Sequence, residues 1–209
     1  MSRNAHQYCC VGTGFIVLDV IRNSNERGSP EIRTAGGSCG NVMAILAYLG
    51  WNANPVGRIG DDRAGRELIA DLCRWGVNTK FLHVEPKWGT PMIFQENYLD
   101  SKGRRRHRFS RTCPTSGKTL PAYRPLLVSD AYSISTTLPS HSVFYFDRVA
   151  PGTLALAQKS RENGALIVFE PSGIKDEALF AECLNAAHIF KYATTASEVS
   201  TDSSQIPRC

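Results

Sequence analysis

The 209-residue chain has no apolar run approaching the length of a membrane span, and no charged-then-apolar leader precedes its first apolar stretch. Its cysteines (Cys9, Cys10, Cys39, Cys73, Cys113, Cys183 and Cys209) make an odd set of 7 without metal-ligand spacing. That pattern argues against a disulfide framework and against a zinc knuckle, and leads to the expectation of a reduced, cytoplasmic protein with free thiols and no metal site of its own. A dinucleotide fingerprint is also lacking. Gly12-Thr13-Gly14 begins like one, but Val17 stands at the third glycine position. Thr115-Ser116-Gly117-Lys118-Thr119 imitates the end of a phosphate-binding loop, yet Thr112 stands where the loop needs its first glycine and no apolar strand leads in. A large excess of one charge sign is lacking too. A net +5 favours anionic ligands but is too small to imply nucleic acid without a focused patch.

What is present is ordinary globular composition, 42% hydrophobic and 21% charged, over a length that suits one domain with a substantial core. The most informative stretch is Ala35-Gly36-Gly37-Ser38-Cys39-Gly40-Asn41, which runs into the helical pattern Val42 to Leu49 and stops at Gly50. Two adjacent glycines let backbone amides approach a ligand that any Cβ would hold off. Asn41, at the start of the helix, adds an amide that both donates and accepts. Val42, Ile45, Leu46 and Leu49 recur at i, i+3, i+4 and i+7, so these residues are expected to form the buried stripe.

Tyr8 to Leu18 reads as one strand buried on both faces and ended by Asp19. A carboxylate at the carboxyl end of a strand is well placed to hold hydroxyl groups, with a turn cap as the plainer alternative. Arg22 to Thr34 is a polar excursion. Ala53 to Ile59 is a strand, Asp61 or Asp62 caps a helix from Arg63 to Trp75 that buries Leu68, Ile69 and Leu72, and Phe81 to Val84 is another strand. Met92 to Leu99 and Arg104 to Phe109 flank the hairpin signal Asp100-Ser101-Lys102-Gly103. The basic run Arg104 to Arg108 alternates across a strand, so only part of it could face one ligand. A solvated face is the plain reading; a phosphate or a nucleic-acid backbone is the sharper one, and no aromatics interleave with the patch to support it. Further on, Ser142 to Phe146 is a strand ending at Asp147, Gly152 to Asn163 is a helix, Leu166 to Phe169 is a strand, Asp176 to Leu184 is a helix, and a last strand begins at Ile189. The repeated strand-helix-strand order implies a parallel sheet with helices on both faces.

Gly36, Gly37 and Asn41, followed in order by Gly57, Gly60, Asp62, Gly65, Gly76 and Val77, resemble the amino-terminal signature of the ribokinase/PfkB-type carbohydrate kinases. The resemblance implies a three-layer α/β/α fold with a small β-lid from segments about 20–34 and 90–110, the latter after Gly89-Thr90. It implies transfer of the ATP γ-phosphate, with Mg2+, to a hydroxyl of a sugar, sugar acid or nucleoside. Asp19, Gly36, Gly37, Asn41 and Asp147 are the substrate-binding residues it points to. The family's Gly-Ala-Gly-Asp motif, whose amides and Asp act on the transferred phosphoryl, occurs nowhere in these residues. Lys191 to Glu198 does not match its Asn-x-x-Glu element, and Glu170-Pro171 replaces its Asp-Pro turn. The expectation is therefore a domain over 1–199 truncated at its carboxyl end, with a polar tail at 200–209, inactive on its own. A non-catalytic sugar-binding protein of the same fold is the alternative. The expected partner is a small sugar or nucleoside, with no nucleic acid and no membrane; a homodimer is left open.

Overall fold

The computed structural model describes residues 8–24 and 30–192. Strand β1 (Cys9–Thr13) is followed by β2 (Val17–Asn23), β3 (Ile32–Gly36), α1 (Ser38–Tyr48), β4 (Asn52–Gly60), α2 (Arg63–Arg74) and β5 (Leu82–Glu85). Next come β6 (Met92–Leu99), β7 (Arg105–Ser110), α3 (Val128–Ser135), β8 (Val143–Phe146), α4 (Pro151–Glu162), β9 (Leu166–Phe169), α5 (Glu177–Ala186) and β10 (Ile189–Phe190). Six strands form a sheet in the order β10-β9-β8-β1-β4-β5, and every pairing in it is parallel. A second sheet has the order β3-β2-β6-β7, with β2 and β6 parallel and both outer pairs antiparallel.

Alternation along the parallel strands divides the core between two faces. Cys10, Val143, Tyr145 and Val168 point into a cluster with Cys39, Met43, Leu68 and Leu72 of α1 and α2. Val11, Phe144, Phe146, Ile167 and Phe169 point the other way, against Ala131 of α3, Leu154, Leu156 and Ala157 of α4 and Cys183 of α5. Helices thus cover the sheet on both sides, as the sequence pattern requires. Phe146 stacks on Phe169 with ring centroids 4.4 Å apart, anchoring the second face. The helix α3 has no clear signature in the sequence: its eight residues bury only Ala131.

Two expectations need correction. The stretch from Tyr8 to Leu18 is not one strand: it breaks at Gly14, whose φ of +143° strains any residue with a Cβ. The Asp147 carboxylate lies where that Cβ would go and accepts the Phe15 amide at 2.7 Å, so the chain turns out of the large sheet into the small one. Asp19 consequently sits within β2, paired with Thr34 and Ile93, and not at the end of β1. The second correction concerns α1, which buries Cys39, Gly40 and Met43 and leaves Ile45 and Leu49 exposed. The helix starts four residues earlier than the apolar pattern suggests, and its small amino-terminal residues are the ones that fit against the sheet.

By contrast, the Gly57-to-Gly65 turn assembles as read. Asp62 caps α2 by accepting the Gly65 amide at 2.8 Å and also takes both the amide and the hydroxyl of buried Thr90, at 2.8 and 2.7 Å. Burial alone would raise the Asp62 pKa, but these hydrogen bonds and nearby Arg66 hold it below the usual carboxylate value. The hairpin turn closes through the Gly103 amide onto the Asp100 carbonyl at 2.9 Å. Arg104 and Arg106 reach Asp100, and Arg108 reaches Glu96, so three of the four arginines in the basic run are spent on its own neighbours. The Thr115–Thr119 segment is a surface turn in which the Gly117 amide bonds the Cys113 carbonyl. The six cysteines among the described residues are free thiols. Glu198, Cys209 and the polar tail at 200–209 lie outside the described residues.

Candidate functional site

The hinge of the site is the step from β3 into α1. Gly36 ends β3 and Gly37 precedes the helix with φ +79°. A Cβ on Gly36 would run into the Asp19 carboxylate, and one on Gly37 into the Phe15 carbonyl. The glycine pair therefore admits the protein's own acid against the backbone: the Gly37 amide donates to Asp19. This differs from the simple expectation of a bare glycine bend awaiting a ligand. Burial is the dominant influence on Asp19 and lifts its pKa from 3.8 to about 6, against the opposing pull of the Gly37 amide.

Asp19 and Asn41 line one cavity of about 700 Å³. Strands β2, β3 and β6 contribute Asp19, Ile21, Thr34, Ala35 and Gln95; α1 contributes Asn41, Ala44, Ile45 and Tyr48, and Trp75 at the C-cap of α2 completes the lining. The pairing of Ile21 with Gln95 across β2 and β6 places Gln95 on the same sheet face as Asp19. Thr34 is not free in this wall: its hydroxyl donates to Asp71 at 2.8 Å, and the Ala35 amide donates to the same oxygen at 2.7 Å. That clamp ties the small sheet to α2. A carboxylate acceptor and two carboxamides, mounted on a helix start and a sheet, match a small molecule bearing several hydroxyls.

Asp147 lies outside this cavity and is fully buried. Besides the Phe15 amide it has Arg148 at 3.6 Å and lies within hydrogen-bonding reach of Ser38 and the Cys39 amide at the start of α1. Burial raises its pKa, partly offset by Arg148 and these donors, and its Oδ2 makes no hydrogen bond. Its position is the point where strand order reverses about β1, which has β8 on one side and β4 on the other. Gln95, Tyr48 and Trp75 were not singled out from the sequence. Tyr48 lies off the buried stripe of α1, whereas Trp75, at i+7 from Leu68 and i+3 from Leu72, reads as part of the buried face of α2, so no local signal marks it for the cavity. Among the described residues, no group of three His, Cys, Asp or Glu side chains converges to hold a metal ion, and no helix is long and apolar enough to cross a membrane.

Among curated proteins, the chain is 33% identical over 97 residues to a fructokinase from Vibrio alginolyticus, a match covering 46% of this chain and 30% of that protein. Among solved structures, it superposes on 2-dehydro-3-deoxygluconokinase from Thermotoga maritima with a TM-score of 0.67 at 18% identity, covering 90% of this chain and 59% of that one. Arabidopsis thaliana ribokinase complexed with ribose and ATP gives a TM-score of 0.63 at 18% identity, covering 88% and 60%. The chain spans less than two thirds of the length of each of these proteins. Residues 6–112, which hold β1 to β7, the glycine pair, Asp19 and Asn41, match the family described as pfkB family carbohydrate kinase, and the chain belongs to that family.

Proposed function

We propose that this chain supplies the substrate-binding part of an ATP-dependent kinase acting on a hydroxyl of a sugar, sugar acid or nucleoside. The observation that carries the reading is the convergence of Asp19, Asn41 and Gln95 on one cavity beside the Gly36-Gly37 step. Asp19 accepts from substrate hydroxyls, Asn41 donates and accepts, and Gln95, whose Nε2 already donates to Asn97 at 2.8 Å, offers its oxygen and its second N–H. The Gly36-Gly37 backbone sets the distance between Asp19 and the helix start. Hydroxyls left unpaired in a closed site cost about 1–3 kcal/mol each, so three such groups discriminate strongly for a polyol. Asp147 contributes by holding the Phe15 turn and the first residues of α1. The sheet carrying Asp19 serves as the lid.

ATP is the phosphoryl donor by kinship, since the family is one of carbohydrate kinases and a structural neighbour is complexed with ribose and ATP. Mg2+ enters this proposal as the companion of ATP. The Gly-Ala-Gly-Asp motif that would serve the transferred phosphoryl is absent from the 209 residues, so the proposal assigns them the substrate and not the transfer step. That same absence favours the second reading, a sugar-binding protein without transfer. A coupled ADP-release assay run beside equilibrium binding, over a panel of hexoses, pentoses, sugar acids and nucleosides, tests the proposal. Saturable binding without ADP release is the expected result for this chain. Sugar-dependent ADP release would show that it performs transfer itself, and absence of binding across the panel would overturn the site.

A further inference from the structure

The lining of the cavity changes character along α1, running from the polar Asn41 through Ala44 and Ile45 to Tyr48 and Trp75, while the sheet side carries Asp19 and Gln95 with Ile21 paired beside Gln95. Asn41, Ala44, Ile45 and Tyr48 fall at i, i+3, i+4 and i+7 of α1, so they form a single stripe along one helix face. Seven residues of helix advance about 10 Å, longer than one sugar ring. The stripe is not core: Ile45 is 57% exposed and Tyr48 74%, because α1 spends its opposite side, Cys39, Gly40 and Met43, on the parallel sheet. Trp75, 46% exposed, meets Tyr48 edge to face with centroids 6.1 Å apart and an interplanar angle of 77°. Two aromatic rings so held, open to a cavity that continues into a hydroxyl-binding end, make a stacking platform.

Resting on the function proposed above, we infer that the site extends along α1 into a stacking subsite formed by Tyr48 and Trp75. Its ligand is a sugar carrying a planar ring, a nucleoside, in preference to a bare monosaccharide. The ribose hydroxyls meet Asp19 and Asn41, and the base lies against the aromatic pair with Ile45 beneath it. A monosaccharide held at Asp19 and Asn41 is shorter than the roughly 10 Å of helix from Asn41 to Tyr48 and falls short of the aromatic pair.

The experiment is calorimetric titration of the chain with ribose, adenosine and uridine, repeated on Tyr48→Ala, Trp75→Ala and Asp19→Asn. Both aromatic positions are well exposed, so thermal melts of the variants should match the parent. Base–aromatic stacking lost on truncation to alanine corresponds to about a tenfold change or more. The inference predicts that nucleosides bind at least tenfold tighter than ribose, that each aromatic variant weakens nucleosides about tenfold, and that neither changes ribose. Equal affinity for ribose and the nucleosides, or equal losses for all three in Tyr48→Ala, overturns the subsite. Asp19→Asn separates the two levels of the reading. If it weakens ribose and nucleosides alike while the aromatic variants do nothing, the hydroxyl site stands and the subsite falls. If it changes neither ligand, the hydroxyl site itself is wrong, and with it this inference.

Discussion

Asp19 is a carboxylate whose burial works against stability at neutral pH. Its folded pKa of about 6 lies above the unfolded value, so between about pH 4 and pH 6 the folded chain holds more proton than the unfolded one, and stability declines as pH rises through that window. Above pH 6 the buried carboxylate is a net burden. Asp19→Asn should therefore raise stability at pH 7.5 by about 1 kcal/mol, discounting the shift for partial solvent screening, and should flatten the pH 4–6 slope. Urea melts at pH 4, 6 and 7.5 check this; an unchanged or lower stability of the variant at pH 7.5 contradicts it. Gly36 is coupled to the same carboxylate. Gly36→Ala should cost about 1–3 kcal/mol by overpacking against Asp19, and much less in an Asp19→Ala background. A double-mutant cycle measures that coupling, and additive losses would show that the glycine answers to something else.

At the scale of elements, much was legible because local chemistry and tertiary demand agree. Asp62 reads as a cap from sequence and is one, and Gly50 stops its helix with positive φ as its place after the apolar pattern suggests. Where the two diverge, the sequence misleads for a physical reason. The strand from Tyr8 is continuous in hydrophobicity but broken at Gly14 by a carboxylate 133 residues away, which no local pattern records. In α1, several apolar stripes can be drawn through Val42 to Leu49, and only the sheet decides that Met43 goes in and Ile45 stays out. The pairing of Asp19 with Asn41 was legible through kinship, but Gln95, Tyr48 and Trp75 join the cavity by strand register and helix phase alone. The Asp62–Thr90 clasp yields a prediction at this scale. Asp62→Ala removes the cap of α2 and strands the Thr90 hydroxyl and amide, costing about 2–4 kcal/mol in denaturant unfolding. A loss under 1 kcal/mol would mean that solvent replaces the carboxylate.

Across the whole molecule, the parallel sheet joins two halves with different tasks. The half around α1, α2 and the small sheet holds the cavity, while the half around α3, α4 and α5 packs the aromatic core behind β8 and β9. Among the described residues, on the face that α1 and α2 cover over β1 and β4, Leu166 and Ile189 of β9 and β10 remain exposed, and β10 is a sheet edge. Such an apolar edge favours association. Light scattering should show concentration-dependent self-association that Ile189→Lys reduces, and a monomer at all concentrations would contradict it. The central claim, that Asp19 and Asn41 grip a polyhydroxylated small molecule, is tested most directly by calorimetric titration of the parent chain, Asp19→Ala and Asn41→Ala with the tightest ligand of a sugar and nucleoside panel. The account predicts saturable binding weakened about tenfold or more in each variant, equivalent to about 1.4 kcal/mol; unchanged affinity in both would contradict it.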